Sequence, residues 1–409
     1  MDELKEKYAE VLLKTCLKID ARQPLFISVN VERLDFARIV AKKAYSLGVE
    51  DIYFDMVEPY LKHDALKSLA VESCKKLTFW DKQKWSEYAS KNAAFLLLAS
   101  ETPGLMKDID PKKIKELVKF SNETRKVFEE KRDKSMLAWC IACVPTLEWS
   151  KLIFPKSSNP VDDLWVKIFE ICEITSDNPV EIWNNKINIL SKRAKKLNDY
   201  NFKTLRYKNN RGTNFEVSLP KYHIWQSGKE VLRNNKEVIV NFPTEEIFTS
   251  PDYKSANGIV YSSKPLSYQD NIIDDFNISF ENGKVVSANA SIGNEFLQEM
   301  INTCPNSDFL GEVALVEYSS AISSSNLIFY ETLFDENAAC HLALGSSFPE
   351  CIKNGPQMDK EELKELGLNQ CDSHVDFMIG NKDLEIIGLT YDNQEIKIFE
   401  NGNFTQEFK

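Results

Sequence analysis

The feature that most constrains this fold is a series of short apolar runs in the first half of the chain, separated by stretches of helical spacing. The runs are Pro24–Val29 (PLFISV), Asp51–Asp55 (DIYFD), Ala93–Ala99 (AAFLLLA) and Leu137–Val144 (LAWCIACV). Side chains that are apolar at successive positions fit strands covered on both faces, as in a parallel sheet flanked by helices. Between the runs, Leu4, Tyr8, Val11, Leu12, Cys16 and Leu17 recur near helical spacing. A second set follows, Leu34, Phe36, Ala37, Val40, Ala41, Ala44 and Tyr45, with Gly48 placed as its C-cap. This alternation predicts an α/β N-terminal domain with a mostly parallel sheet. No Gly-rich loop follows any of these strands, which argues against a nucleotide phosphate site.

The pattern changes near residue 200. Asn214–Leu219, Val238–Phe242, Ile272–Phe280 and Lys284–Ala290 have strand period between Gly, Asn and Pro punctuation. Helices are predicted around Asn294–Cys304 and Glu336–Leu344, and β structure returns at Phe377–Ile379, Leu384–Thr390 and Ile396–Phe399. The expectation is two domains, 1–190 and 191–409, the second a mixed α+β domain.

Charge and composition exclude several classes of partner. The 62 Asp and Glu against 51 Lys and Arg give a net charge of -11, which opposes binding to nucleic acid through clustered basic residues. No apolar run reaches the ~18 residues of a spanning helix, so no membrane partner is expected. The start, MDELKEKYAE, is charged and mixed in sign, so no secretory signal is expected. With nine Cys, an odd number, the chain is read as a cytoplasmic protein with reduced thiols.

There are four His. His63 lies in a polar, surface-like segment. His223 sits between Tyr222 and Trp225 after Pro220, as a ligand, a substrate contact or a packed loop residue. In Asp372–Gly380 (DSHVDFMIG), strand period puts His374 and Asp376 on one face. They are either a rigid pair of metal ligands or a hydrogen-bonded pair at a strand edge. His341 is expected on a helix starting after Asp335, sharing a face with Asn337. Carboxylates that could converge on these imidazoles are Glu245 and Glu246, directly after the strand ending at Phe242, and Glu312, entering an otherwise apolar strand. A carboxylate in a buried strand is costly unless it is paired or bound to metal. Cys140 and Cys143 have CxxC spacing without a second pair of ligands and are read as core residues.

Several long segments resemble the thermophilic-type aminopeptidases, the group of aminopeptidases T and S. They are NFPTEEIFTSPD (241–252), SSKPLSY (262–268), FLGEVALV (309–316), FYETLFDENAACHLALG (329–345) and HVDFMIG (374–380). In the first half the AxxLG turn before Val49 and CVPTLEWSKLIFP (143–155) add to them. The resemblance implies a homodimeric exopeptidase with peptide substrates and a C-terminal catalytic domain holding two divalent metal ions. It carries the ligands onto Glu246, Glu312, His341, His374 and Asp376. Oxygen and nitrogen donors without thiolate favour zinc, with cobalt or manganese also fitting. Glu312 is taken as the bridging ligand, and Glu336 or Glu245 as the carboxylate that moves the proton. His223, Trp225 and Tyr268 are expected to line the substrate pocket. The family usually has Tyr where this chain has Phe348, so a phenol oxygen is missing at the metal site. Water, Ser346 or Ser347 would have to stand in for it; otherwise the chain is a metal-poor homologue acting as a binding or scaffold protein.

Overall fold

The computed structural model describes residues 1–76, 79–100, 102, 104–269 and 271–409. The chain forms two compact units, residues 1–185 with 229–243, and residues 186–228 with 244–409.

The first unit is built on the predicted apolar runs. Its five-stranded sheet has the order Asn241–Phe242, Trp139–Cys143, Ala94–Ala99, Leu25–Asn30, Ile52–Val57, and every pair is parallel. Leu25, Phe26, Ile27 and Val29 are fully buried, as a strand covered on both faces requires. An aromatic cluster of Phe26, Trp85, Phe95 and Phe128 packs on one side, with the Trp85 and Phe95 rings stacked at 5.6 Å. The helix expected to stop at Gly48 spans Leu34–Ser46, and Gly48 follows in the left-handed region at φ +88. Cys140 and Cys143 are buried within their strand.

The second unit contains two larger sheets. One joins strands from 204–218, 257–292 and 385–404 in antiparallel order. The other positions the candidate site. Its order is His374–Met378, His341–Gly345, Leu310–Leu315, Ile247–Thr249, Gln226–Ser227, antiparallel throughout.

One expectation is corrected here. Residues 336–344 do not form a helix. A short helix, Thr332–Asp335, runs into a single 3-10 turn, Glu336–Ala338, and His341–Gly345 is a fully buried strand. An apolar run such as HLALG has no period that separates a buried helix from a central strand, and here pairing on both edges decides it.

Candidate metal centre

The register of the second sheet gathers the reactive side chains. Glu312 faces Ala343, which faces Asp376; Ala314 faces His341; Gly345 faces His374. Cross-strand neighbours share a face, as do residues two apart. Glu312, His341, His374 and Asp376 therefore project to one side, and the residues between them, Ala314, Ala343 and Gly345, are small enough to leave room. Gly345 has φ +113, and a Cβ there would fall 2.1 Å from the Ser373 carbonyl oxygen, so only glycine lets the His374 strand lie this close. Glu246 enters from the residue preceding the Ile247–Thr249 strand, which pairs with the Glu312 strand.

The five side chains form two overlapping triads. Glu246, Glu312 and His341 each offer a ligand atom within 4.8 Å of the others, and so do Glu312, His374 and Asp376. Glu312 is common to both. His341 Nε2 lies 3.4 Å from Glu246, and His374 Nε2 lies 3.1 Å from Glu312 and 3.2 Å from Asp376. The opposite ring nitrogens are fixed by main-chain carbonyls: His341 Nδ1–H donates to Ala339 at 3.1 Å and His374 Nδ1–H to Ser346 at 2.8 Å. A carbonyl can only accept, so each Nδ1 carries hydrogen and each Nε2 is the nitrogen turned toward the carboxylates. This is the orientation a metal-ligating imidazole adopts. Asp376 Oδ1, the oxygen 3.2 Å from His374 Nε2, is buried and has no well-aligned hydrogen bond, so it is left with lone pairs turned into the cluster. Carboxylate oxygens and imidazole nitrogens in this arrangement fit divalent cations.

The electrostatics also call for positive charge. Burial, then the negative charge of Asp376, pushes Glu312 up to about 7 against the pull of His374 and His341. Glu336 is raised well above the usual carboxylate range by burial and by Glu246, Asp376, Glu312 and Glu331. For His341 burial acts downward, but the hydrogen bond to Glu246 and the charges of Glu312 and Asp376 outweigh it and bring the imidazole to about 9. His374 is raised well above its ordinary value in the same way, by Asp376 and Glu312. The upward shifts of both imidazoles, Glu312 and Glu336 mark an excess of negative charge that a bound cation would offset.

The remaining candidates divide. Tyr268 lines a pocket together with His374, Asp376, Glu331, Asp335 and Leu266. The described lining of that pocket does not include His223 or Trp225, which sit in the core. His223 donates from Nδ1 to the Pro220 carbonyl, and burial lowers it to about 4, so it is a neutral packed residue. Glu245 turns to Lys186, 3.2 Å away, and its amide donates to Asn337 Oδ1. Phe348 sets its ring 4.8 Å from that of His374, tilted by 50°, and 5.5 Å from that of Phe248, edge-on at 68°. Ser347 accepts from the Asn369 amide and Ser346 Oγ lies 3.4 Å from the Ser347 carbonyl, so both hydroxyls are engaged locally.

Sequence reasoning did not single out Glu331 or Asp335 as lining this pocket. Asp335 accepts from the amides of Phe329 and Glu331 and so holds a turn with Tyr330 at φ +55, an uncommon conformation for a bulky residue. Its place before a predicted helix had marked it only as a cap.

Comparison with known proteins identifies the family. The family described as thermophilic metalloprotease (M29) matches residues 1–404. Aminopeptidase AmpS of Bacillus subtilis is 35% identical over 99% of this chain and 100% of its own length. Aminopeptidase 2 of Geobacillus stearothermophilus is 37% identical over 98% of each. The structure of AmpT from Thermus thermophilus superposes with a TM-score of 0.91 at 28% identity, over 99% of both chains. From sequence and fold together, the chain belongs to the M29 family of thermophilic metalloproteases.

Proposed function

We propose that this chain is an aminopeptidase that removes N-terminal residues from peptides at a two-metal centre. The observation that carries the reading is the pair of donor triads sharing Glu312 on one sheet face. Glu246, Glu312 and His341 would hold one divalent cation, and Glu312, His374 and Asp376 the other. Zinc is the first choice, with cobalt or manganese suited to the same donors. When bound, such cations polarise a carbonyl and make water acidic enough to attack it near neutral pH.

The chain's own residues do the rest. Glu336 is a partly buried residue outside both triads, surrounded by Glu246, Asp376, Glu312 and Glu331, which favour its keeping a proton. It is the group suited to take a proton from water and pass it to the leaving amine. Glu331, Asp335 and Asp376 line the pocket and favour a free α-ammonium, while Leu266 and Tyr268 offer apolar surface to the first side chain. Phe348 braces the His374 ring and offers no oxygen, so stabilising the developing oxyanion falls to the centre itself. Among the described residues no helix is long and apolar enough to cross a membrane. A cytoplasmic location and a homodimeric state belong to the same proposal.

The test is metal analysis with paired substrates. Protein purified with micromolar zinc or cobalt should carry two ions per chain. It should cleave leucyl-p-nitroanilide at least about 10²-fold faster than the N-acetylated analogue. Equal rates on the two substrates would sink the aminopeptidase reading in favour of a general amidase. Absence of bound metal would favour a binding protein.

A pH dependence follows for the metal-free protein. Groups whose folded pKa is raised contribute stability below their unfolded value and lose it as pH rises through the folded value. Glu312, raised from 4.5 to about 7, loses its share mostly below pH 7, and His341, raised from 6.5 to about 9, loses its share across the window from 6.5 to 9. Chelated protein should therefore lose roughly 5–10 °C of Tm between pH 6.5 and 9.5, while metal-loaded protein should not. Calorimetry across that window checks it; parallel curves with and without chelator would contradict it.

A further inference from the structure

The second unit holds another group of reactive side chains, outside the carboxylate–imidazole cluster. Cys304 and Cys371 are 67 residues apart in sequence, yet their Sγ atoms lie 3.0 Å apart. The Ser373 hydroxyl bridges them, 3.4 Å from Cys304 Sγ and 3.3 Å from Cys371 Sγ. Both thiols are partly exposed, whereas Cys16, Cys140, Cys143, Cys172, Cys340 and Cys351 are buried.

The two segments are already held together by polar contacts on either side of the thiols. Asn306 Nδ2 donates to the Gln370 carbonyl at 3.1 Å, and Asn369 Nδ2 donates to the Asn306 carbonyl at 2.9 Å. A disulfide needs its sulfurs about 2.05 Å apart, so closure from 3.0 Å asks for about 1 Å of sulfur movement.

The two thiols are also unlike in reactivity. Burial pushes Cys304 up, but hydrogen bonds from Cys371, Ser373 and the Asp372 main chain outweigh it and leave the thiol below its ordinary value. Cys371 is pushed up by burial and by Cys304. Cys304 is thus the better attacking thiolate and Cys371 the thiol that resolves.

We propose that Cys304 and Cys371 form a reversible dithiol–disulfide site, oxidised by low-molecular-weight disulfides of the glutathione class. Cys304 loses its proton to solvent and attacks one sulfur of the disulfide. A mixed disulfide forms on Cys304, and one small thiolate leaves and is protonated. Cys371 then loses its proton and attacks the Cys304 sulfur, releasing the second small thiolate. Two protein thiols give up two electrons, and one small disulfide becomes two thiols.

The bond would close a loop containing the Glu312 and His341 strands and tie it to a point three residues before His374. The Ser373 carbonyl, between Cys371 and His374, accepts from the Ser346 amide at 2.7 Å, so the closure braces the edge of the sheet that carries the site. A cross-link over a loop of this length should raise Tm by about 5 °C.

The test incubates the full-length protein with glutathione disulfide, alkylates the remaining thiols and analyses the digest by mass spectrometry. The expected result is one species joining the Cys304 and Cys371 peptides, about 2 Da lighter than their sum. Dithiothreitol should reverse it, and Tm should rise only in the oxidised wild type. Cys371→Ser should stop at a glutathione adduct on Cys304, and Cys304→Ser should give no cross-link. Alkylation of both thiols after oxidation, or a stable adduct on either in the wild type, would overturn the proposal. A cross-link with unchanged Tm would overturn the bracing role. If a serine variant fails to fold, the wild-type digest still decides.

Discussion

Replacing Glu336 by Gln is expected to lower kcat by about 10²- to 10⁴-fold while both metal ions stay bound. The size of the loss follows from the position of the group. Glu336 is partly buried and poorly solvated, and Glu246, Asp376, Glu312 and Glu331 raise its affinity for a proton. A Gln amide of nearly the same volume keeps the packing and the contact with Asn337, but it can neither take a proton from water nor give one to an amine. Neither donor triad includes Glu336, so metal content should not change. Stability should hold or rise, because the amide resembles the protonated acid that the site favours. Glu245→Gln is the matched control. Glu245 pairs with Lys186 at 3.2 Å, partly buried but outside both triads, and its loss should cost less than about 10-fold. Steady-state kinetics and elemental analysis on both variants read the result. If Glu336→Gln kept activity within 10-fold of the parent, the proton would have to travel through another group.

The contrast between these two glutamates marks what the sequence made legible. Both were candidates for the proton carrier, and both stand near metal-binding segments in the chain. What separates them is the charge around them: Glu336 stands among Glu246, Asp376, Glu312 and Glu331, whereas Glu245 pairs with Lys186, which is 59 residues away in sequence. Local patterns cannot report that. Local period did report His374 and Asp376, because a strand's alternation is enough to put two side chains on one face. Glu312 was visible as a charge inside an apolar run. His341 was singled out but placed on a helix. Its segment begins with Asp335 and Glu336, which read as a helix start, and continues with small apolar residues compatible with either state. Only pairing with the Leu310–Leu315 and His374–Met378 strands resolves it. The parallel sheet of the first unit was readable for the same reason that the Glu312 strand was: continuous apolar runs have few other places to go. Its fifth strand, Asn241–Phe242, was legible as a strand within Val238–Phe242 but was assigned to the second domain. A two-residue strand beside Trp139–Cys143 pairs across about a hundred residues of chain, and nothing in its own sequence names the partner.

Glu312→Gln is expected to have a different effect from substitution of any other donor: it should disturb both metal positions at once. Glu312 is the one residue common to the two triads, and it lies in a strand whose six residues are all buried. The Gln side chain preserves volume but removes one negative charge and replaces an oxygen with an amide nitrogen that cannot coordinate. Each cation then loses a charged donor, and affinity at both positions should fall by more than about 10²-fold. Bound metal should drop below one ion per chain at micromolar zinc, and turnover should fall by at least about 10³-fold. Glu246→Gln touches only the triad with His341, and Asp376→Asn only the triad with His374, so each should leave about one ion per chain. Titration calorimetry with elemental analysis distinguishes these outcomes. The test turns on the ordering. If Glu312→Gln behaved like Glu246→Gln, with one ion retained, the two triads would not share a ligand. The centre would then be two separate sites, or a single site, on one sheet face.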